Sequence, residues 1–444
     1  SPRKTLFPST KALSPRAGAT ANACGAVQSI RTPARLCYTP PNMNPYSLYL
    51  HIPFCIHRCG YCDFNTYAGL EALIPRYIEA LCREIEFAGQ GTGEQLPVHT
   101  IFFGGGTPSL LPAQALEGIL QAIGDSFDLL PGCEVTLEAN PGTLSADFLR
   151  QIRLLGVNRL SIGMQSAHPH ELRLLERQHN YLEVIQSVTW ARQAGFDNLN
   201  LDLIFGLPEQ SLETWQHSLE LALGLHPQHF SLYALTLEHG TPFGHWASRG
   251  LLSEPDPDVA ADMYEWSAER LDKDGYTQYE ISNWGKRNAS STPDGGKIRA
   301  CRHNLQYWRN LPYLGFGAGA HGYAKGVRTA NVLAPQAYIK RFADSHEPSA
   351  TSFPATPATQ STQAIDRQTE IGETMMMGLR LTEEGVSAAL FYQRFGQRLE
   401  EIFAAPIQRL TGLGLLEWAG EQGDILRLTH RGRLLGNQVF MEFI

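Results

Sequence analysis

Three cysteines within eight residues constrain this chain more than any other feature. Cys55, Cys59 and Cys62 lie in the segment HIPFCIHRCGYCDF, separated by three and then by two residues. The whole chain has 8 cysteines in 444 residues, too few for a disulfide-stabilised scaffold. Thiols this close together therefore favour metal ligation over disulfide pairing.

Two kinds of metal centre fit three cysteines on one loop. An iron–sulfur cubane normally takes four cysteine ligands, so three thiolates leave one iron open for an exchangeable ligand. A structural zinc ion needs a fourth ligand close by, and His57 is the one candidate inside the loop. The spacing favours a [4Fe–4S] cluster, with zinc as the alternative.

Strand-like and helix-like segments alternate from Tyr46 onward. The predicted strands are 47–52, 98–103, 134–139, 159–164, 198–204 and 229–235, and the first predicted helix is 74–88. Alternation of this kind is typical of a parallel sheet with right-handed crossovers. Six such units suit an incomplete barrel better than a flat doubly wound sheet, so the predicted fold class is α/β, with a partial (β/α)6 barrel.

Residues that could bind a ligand or take part in catalysis lie at the carboxyl ends of the predicted strands. They are the cysteine loop, the glycine turn 104–107, Glu138, Gln165, Asp202 and Ala234. Parallel strands bring these ends to one edge of a sheet, where ligands bind. Taken alone, Arg177 is better explained as a surface residue of a helix, and Glu138 and Asp202 fit a capping or surface role equally well. The common edge nevertheless predicts one binding face.

The cysteine loop after a first strand, followed by GGGTP at 104–108, resembles the radical S-adenosylmethionine (SAM) superfamily. The resemblance implies that the amino and carboxylate groups of SAM bind the open iron. It also implies that electron transfer can cleave SAM to a 5′-deoxyadenosyl radical, which requires a reductant such as flavodoxin or ferredoxin. The cofactor would carry this chemistry, and the protein would bind and orient it.

Four segments are similar to the oxygen-independent coproporphyrinogen III oxidase group. They are LYLHIPFC (48–55), LEANP (137–141), RLSIGMQS (159–166) and DLIFGLP (202–208). Carried over position by position, the resemblance implies a SAM site drawn from several strands. Its residues would be Tyr49, Tyr61, Gly105, Gly106, Thr107, Glu138, Gln165, Arg177, Asp202 and, where the match loosens, Ala234.

One position separates this chain from the true oxidases of that group. The oxidases carry a further cysteine two residues after the third ligand, where this chain has Phe64. Instead, HNLQYW at 303–308 resembles the HNxxYW signature of the haem chaperone family HemW, which implies binding of haem and its transfer to haem-accepting proteins. His303 would then contact haem, with His321 a second candidate and Cys301 a weaker one. A core role for the motif stays open.

Three functions therefore remain open. The first is a haem chaperone with a SAM-bound cluster. The second is an oxidase that converts two propionates of coproporphyrinogen III to vinyl groups. The third is another radical-SAM enzyme, such as a methyltransferase. Phe64 and the HNxxYW segment favour the first, so whether the chain is an enzyme stays open.

Composition changes along the chain predict its segments. They are an extension at 1–44, the barrel at 45–285, a connecting region at 286–345 with an exposed insertion near 288–296, a flexible Ser/Thr/Pro linker at 346–370, and a winged-helix-like α/β domain at 371–444.

Residues 1–62 contain no Asp or Glu, as in an organellar transit peptide. The alternative is a translated extension upstream of Met43. We expect a cytoplasmic protein in that case, and a plastid or mitochondrial one if 1–44 is a presequence.

Net charge and hydropathy indicate which kinds of partner this chain is not expected to bind. The net charge is −8, and the last domain has seven arginines against nine acidic residues, so we expect no nucleic-acid binding. The apolar runs are shorter than the ~18 residues of a membrane span, so none is expected. A homodimer is compatible with the sequence, which does not determine the oligomeric state.

Overall fold

The computed structural model describes residues 44–288, 296–343 and 352–444. The predicted extension at 1–44 lies outside these residues except for Asn44. Most of the insertion predicted near 288–296, and the first part of the predicted linker, also lie outside them.

The strands follow the predicted alternation with helices. In chain order they are β1 Tyr46–Ile52, β2 Phe54–Cys55, β3 Tyr67–Ala68, β4 Pro97–Gly105, β5 Asp128–Ala139, β6 Arg159–Gln165, β7 Leu199–Phe205, β8 His229–Ala234, β9 Tyr276–Glu280, β10 Asn283–Lys286, β11 Tyr313–Phe316, β12 His321–Ala324, β13 Val327–Asn331, β14 Thr359–Ala364, β15 Val386–Ser387, β16 Leu416–Ala419 and β17 Ile425–Leu428.

The α-helices alternate with the first strands and then dominate the C-terminal part. They are α1 Ile74–Gly91, α2 Ala113–Ser126, α3 Ala146–Leu154, α4 Pro169–Leu174, α5 Tyr181–Gln193, α6 Leu212–Leu223, α7 Pro242–Ser248, α8 Pro257–Lys273, α9 Arg302–Trp308, α10 Pro335–Ala343, α11 Arg367–Gly378, α12 Ala388–Phe395, α13 Leu399–Ile402, α14 Ala404–Gly412, α15 His430–Leu434 and α16 Gly436–Phe440.

Six parallel strands form the centre of the main sheet, in the order β1-β4-β5-β6-β7-β8. These are the six strands that the sequence predicts, and consecutive strands are neighbours, as right-handed crossovers require. In the described part of the chain β1 and β8 do not pair with each other, so the barrel stays open. The α/β partial-barrel prediction is confirmed.

Strand β1 illustrates why these segments form buried strands. Leu48, Leu50 and Ile52 are fully buried and belong to the main hydrophobic core. Side chains alternate along a strand, so Ser47 and His51 lie on the opposite face and make polar contacts there. The helices cover one face of the sheet, and the other face lines a polar interior.

Six further strands extend the sheet to twelve on both sides of this centre; β11 runs parallel to β1, and the other added strands pair antiparallel. Strands β10 and β9 follow β8, while β11, β12, β13 and β14 follow β1. Strand β14 differs from the linker expectation, because Thr359–Ala364 pair with β13 along its length. Its sequence, TQSTQA, has no apolar alternation, and five of its six residues are exposed, so the usual strand signal is missing.

The C-terminal residues have a hydrophobic cluster of their own. Strands β15, β17 and β16 form a three-stranded antiparallel sheet, and the helices from α11 onward pack around it. The helix and hairpin predicted near 406–429 appear as α14, β16 and β17, which agrees with the winged-helix-like expectation. An ion pair of 2.7 Å between Arg380 and the fully buried Glu280 joins this part to the main sheet. Among the described residues, no helix has the length and hydropathy needed to cross a membrane.

Candidate functional site at the carboxyl edge of the sheet

A cavity of about 670 Å3 lies at the carboxyl ends of the parallel strands. Most of the predicted site residues line it: Cys55, Cys59, Cys62, Tyr61, Gly105, Gly106, Thr107, Glu138, Gln165, Arg177, Asp202 and Ala234. Two predicted residues, Tyr49 and His303, do not line it. The common edge predicted from the sequence therefore brings together residues that are up to 179 positions apart, from Cys55 to Ala234.

Cys55 is the last residue of β2, and Cys59 and Cys62 lie on the loop between β2 and β3. The hydroxyl of Thr107 donates to the sulfur of Cys55 at 3.7 Å, and Oγ1 of Thr66 lies 3.7 Å from the sulfur of Cys62. Burial raises the pKa of the Cys55 and Cys59 thiols. Both thiols are protonated in the metal-free protein, so metal binding must displace protons.

The arrangement of the cysteines bears on the two metal centres left open by the sequence. Among the described residues, no group of three or more His, Cys, Asp or Glu side chains is placed to hold one metal ion. Ligands of a single zinc ion must converge on one point, whereas the cysteines of a cubane each bind a different iron. All three cysteines line the same cavity, and this placement alone leaves both metal centres open.

The glycine turn after β4 passes directly behind the cysteine loop. The N–H groups of Gly106 and Thr107 donate to the carbonyls of Ile52 and Phe54, each at 2.8 Å. A Cβ on Gly106 would lie 2.6 Å from the Phe54 oxygen, so no larger residue fits there. Gly105 has φ +109°, which favours glycine. The turn thus needs glycine to hold the cysteine loop against the sheet.

Two carboxylates form the polar floor of the cavity. Glu138 accepts from the N–H of Gly105 at 3.1 Å. Asp202 accepts from the hydroxyl of Ser161 at 3.0 Å and from the amide of Asn200 at 2.8 Å. Burial raises the pKa of both, and for Glu138 burial and then the nearby Asp202 raise it to about 8. Asp202 lies within β7 rather than at its end, below the rim of the cavity.

Arg177 lies in the cavity wall, although the sequence alone favours a surface role. Its guanidinium donates to the carbonyl of Gly163 at 3.1 Å and to the side chain of Asn140. The amide of Gln165 and the Arg177 guanidinium both lie close above Gly163, where a Cβ would approach them to 2.9 and 3.0 Å. Gln165 takes the left-handed conformation at the end of β6, with φ 62°. Several donors therefore face the same part of the cavity.

Asn140 is a functional candidate that the sequence argument missed. Its amide donates to Thr107 Oγ1 at 3.1 Å, while its oxygen accepts from Arg177. It therefore connects the glycine turn to the opposite wall, and it lines the cavity. The available signal was its position in LEANP, two residues after Glu138.

Tyr61 and Ala234 complete the wall. Tyr61 packs edge-on against Phe243 of α7, with ring centroids 6.2 Å apart, and burial raises its pKa. The N–H of Phe243 donates to the carbonyl of Gly60 at 3.0 Å, so α7 is bound to the cysteine loop. Ala234 is the last residue of β8.

Tyr49 lies behind the glycine turn, where its hydroxyl is 3.0 Å from Nδ1 of His51.

His303 lies in the core, at only 1% exposure. Its Nδ1 is 2.8 Å from Thr100 Oγ1, and its Nε2 is 2.9 Å from the hydroxyl of Tyr307. Burial lowers its pKa to about 3. With both ring nitrogens engaged, His303 has none free for haem iron, so the structure favours the core alternative for this residue.

The rest of the HNxxYW segment joins two parts of the molecule. The guanidinium of Arg380, from the C-terminal part, lies 4.4 Å from the ring centroid of Trp308. Cys301 is fully buried, and its thiol donates to Glu134 at 3.7 Å. Neither Cys301 nor the exposed His321 at the start of β12 lines the cavity.

This fold and this cavity define a radical SAM protein. The Radical SAM superfamily matches residues 49–222, which contain all three cysteines, and the HemN C-terminal domain matches residues 365–435. Membership of the superfamily implies a [4Fe–4S] cluster and SAM.

Relatives give a narrower family. The Bacillus subtilis protein named heme chaperone HemW is 39% identical over 402 residues, covering 90% of this chain and 99% of that protein. Heme chaperone HemW of Escherichia coli is 34% identical over 403 residues, covering 90% and 98%. The chain belongs to the heme chaperone HemW family. The solved structure of coproporphyrinogen III oxidase HemN from Escherichia coli shares the fold, with a TM-score of 0.72, 22% identity and 90% coverage of both chains.

Proposed function

We propose that this protein binds haem and passes it to haem-accepting proteins, and that it carries a SAM-bound [4Fe–4S] cluster. The observation that carries the proposal is the 39% identity to a protein named heme chaperone HemW along 99% of that protein's length. Phe64 adds to it, because an exposed phenylalanine stands at the cavity mouth where the oxidases carry a cysteine.

The cavity residues divide between the two cofactors. Cys55, Cys59 and Cys62 would hold the cluster, which when reduced supplies the electron that can cleave SAM. The glycine turn would bring backbone groups close to the amino group of SAM. Arg177 provides a planar cation for the SAM carboxylate.

The remaining polar residues suit the nucleoside part of SAM. Asp202 and Glu138 lie on β7 and β5, on either side of β6, and both line the cavity, where they can bond ribose hydroxyls, as acidic residues do in dinucleotide sites. Gln165, Tyr61 and Ala234 would close the wall around it. A reductant such as flavodoxin or ferredoxin is required if SAM is cleaved, and a homodimer and a cytoplasmic location stay predictions.

An anaerobic experiment with two parallel samples tests the function. The reconstituted chain is titrated with haem in one sample, and in the other it receives SAM, dithionite and coproporphyrinogen III. We expect stoichiometric haem binding, transfer of that haem to apomyoglobin as a probe acceptor, and no protoporphyrinogen. Formation of protoporphyrinogen would identify an oxidase. Cleavage of SAM with neither haem binding nor product would identify another radical-SAM enzyme.

A further inference from the structure

We propose that haem binds at the outer rim of the cavity, on the cysteine loop itself. In this arrangement His57 is the iron ligand, Ile56 and Phe64 contact the macrocycle, and Arg58 pairs with a propionate. The inference rests on the proposed function and adds the site and the ligand set. This rim site takes the place of the HNxxYW segment as the proposed haem site, because His303 in that segment has no free ring nitrogen.

The apolar part of this rim is unusually exposed. Ile56 and Phe64 are 65% and 63% exposed, and both line the cavity. Leu333 is 61% exposed, and its carbonyl accepts at 3.0 Å from the side chain of Asn65, the residue that follows Phe64. We call Ile56, Phe64 and Leu333 the rim patch. Clustered exposed apolar side chains mark a binding surface, and a porphyrin offers a flat apolar face to cover them.

His57 is placed and prepared to bind iron. Its Nε2 lies 2.9 Å from a carboxylate oxygen of Glu176, and its side chain is 46% exposed. This contact orients the ring through Nε2 and leaves Nδ1 as the nitrogen available to a ligand. Among the described residues, Nδ1 has no hydrogen-bond partner. A carboxylate on one imidazole nitrogen with the other free is the arrangement of histidine metal ligands.

Arg58 supplies the charge that haem requires. Its guanidinium lies along the loop, 3.3 Å from the Cys62 carbonyl and 3.4 Å from the Phe64 carbonyl. The side chain is exposed, and its other N–H groups can face solvent. A guanidinium next to an apolar patch suits a ligand whose flat apolar body carries carboxylates at one edge. An apolar peptide segment would need neither this cation nor the free imidazole nitrogen.

The site leaves the floor of the cavity available to SAM. Glu138 accepts from the N–H of Gly105 and Asp202 lies within β7, both half-buried, whereas the rim patch and His57 are exposed. Haem at the rim would cover the cluster and the bound SAM together. We therefore expect haem and SAM to bind simultaneously rather than to compete.

Haem titration of variants in the full, cluster-reconstituted chain tests this site. The variants are His57→Ala and the double variant Ile56→Ser/Phe64→Ser, with His321→Ala and His170→Ala as exposed-histidine controls. Haem binding is followed by the Soret band, and ligation by the low-spin ferric EPR signal. Loss of ligation or of apolar contact should each weaken haem binding at least about tenfold, and the controls should match the wild type.

The outcomes separate the site from the function. Wild-type chain that binds no haem would overturn the proposed function. Wild type that binds haem, with His57→Ala keeping both the affinity and the histidine-ligated spectrum, would overturn this site alone. Loss of that spectrum in His321→Ala would assign the ligand to His321 instead. Iron and sulfide content checks each variant, and if the loop variants assemble less cluster, the same comparison is made with cluster-free chains.

Discussion

The carboxylate of Glu138 accepts a hydrogen bond from the backbone N–H of Gly105 at 3.1 Å. This contact joins β5 to the turn after β4, and so connects the cavity floor to the glycines that support the cysteine loop. The hydrogen bond lowers the pKa of Glu138, but burial and Asp202 outweigh it and raise the pKa to about 8. Glu138 is therefore protonated at neutral pH in the cofactor-free protein.

The protonated state of Glu138 predicts the behaviour of Glu138→Gln. Because the folded pKa is raised, the contribution of this group to stability is present below the unfolded pKa of about 4.3 and is lost as pH rises toward 8. Glutamine can keep the bond to Gly105 without titrating. We expect the variant to gain stability relative to wild type between pH 5.5 and pH 8.5, on the order of 2–4 kcal/mol, in urea unfolding of the cluster-free chain. A constant difference between the two proteins would contradict the raised pKa.

Gly106→Ala should damage the site through the backbone. The added methyl would lie 2.6 Å from the Phe54 carbonyl and 2.8 Å from that of Ile52, and neither can move without moving the cysteine loop. We expect a loss of about 1–3 kcal/mol in the free energy of unfolding, together with loss of SAM binding in equilibrium dialysis.

Gly118→Ala is the matched control for that substitution. Gly118 lies within α2, and a Cβ there meets nothing within 4 Å. Alanine in an open helical position should raise stability by about 0.4–1 kcal/mol and leave SAM binding unchanged. Equal behaviour of the two alanine variants would mean that the turn tolerates a side chain.

The sequence predicts the parts of this site that depend on order along the chain. Strand period, alternation with helices and the common carboxyl edge were enough to place Cys55, Thr107 and Asp202 in one cavity. Tyr49 does not line this cavity, because it lies behind the glycine turn, where its hydroxyl is close to His51. Strand period gives the face of the sheet but not the depth of a side chain relative to a ligand.

Contacts between distant segments could not be predicted either, because a residue pattern along the chain does not show where two separate segments meet in space. The bond between Asn140 and Thr107 depends on where two loops meet, and strand β14 is determined by its partner β13 rather than by its own pattern. His303 shows the limit most clearly. Its motif suggests a ligand, yet its ring nitrogens are engaged by Thr100, from β4, and by Tyr307 of its own helix.

Cys59→Ala should abolish cluster assembly. Two thiolates cannot hold the cubane, so iron and sulfide after anaerobic reconstitution should fall from about four per chain to near zero. Cys133→Ala is the control, because that partly buried thiol does not line the cavity. A full iron complement in Cys59→Ala would refute the ligand assignment, and loss of iron in both variants would point to a general folding defect.

His303→Gln tests the core role of that histidine against haem contact. The Thr100 hydroxyl donates to Ser47, so it accepts from Nδ1–H of His303, while Nε2 accepts from the Tyr307 hydroxyl. Substitution should therefore cost about 1–3 kcal/mol in the free energy of unfolding at pH 7.5.

The pH dependence of that cost distinguishes the two roles. The pKa of His303 is lowered to about 3, so its contribution is present above the unfolded pKa of about 6.5 and is lost as pH falls below it. The stability difference between wild type and His303→Gln should shrink by about 2 kcal/mol from pH 7.5 to pH 5 in urea unfolding of the cluster-free chain, since the neutral glutamine does not titrate. Haem affinity should stay within about twofold of the wild type, because His303 lies away from the rim. Unchanged stability with tenfold weaker haem binding would return this residue to the haem site and remove the argument for His57.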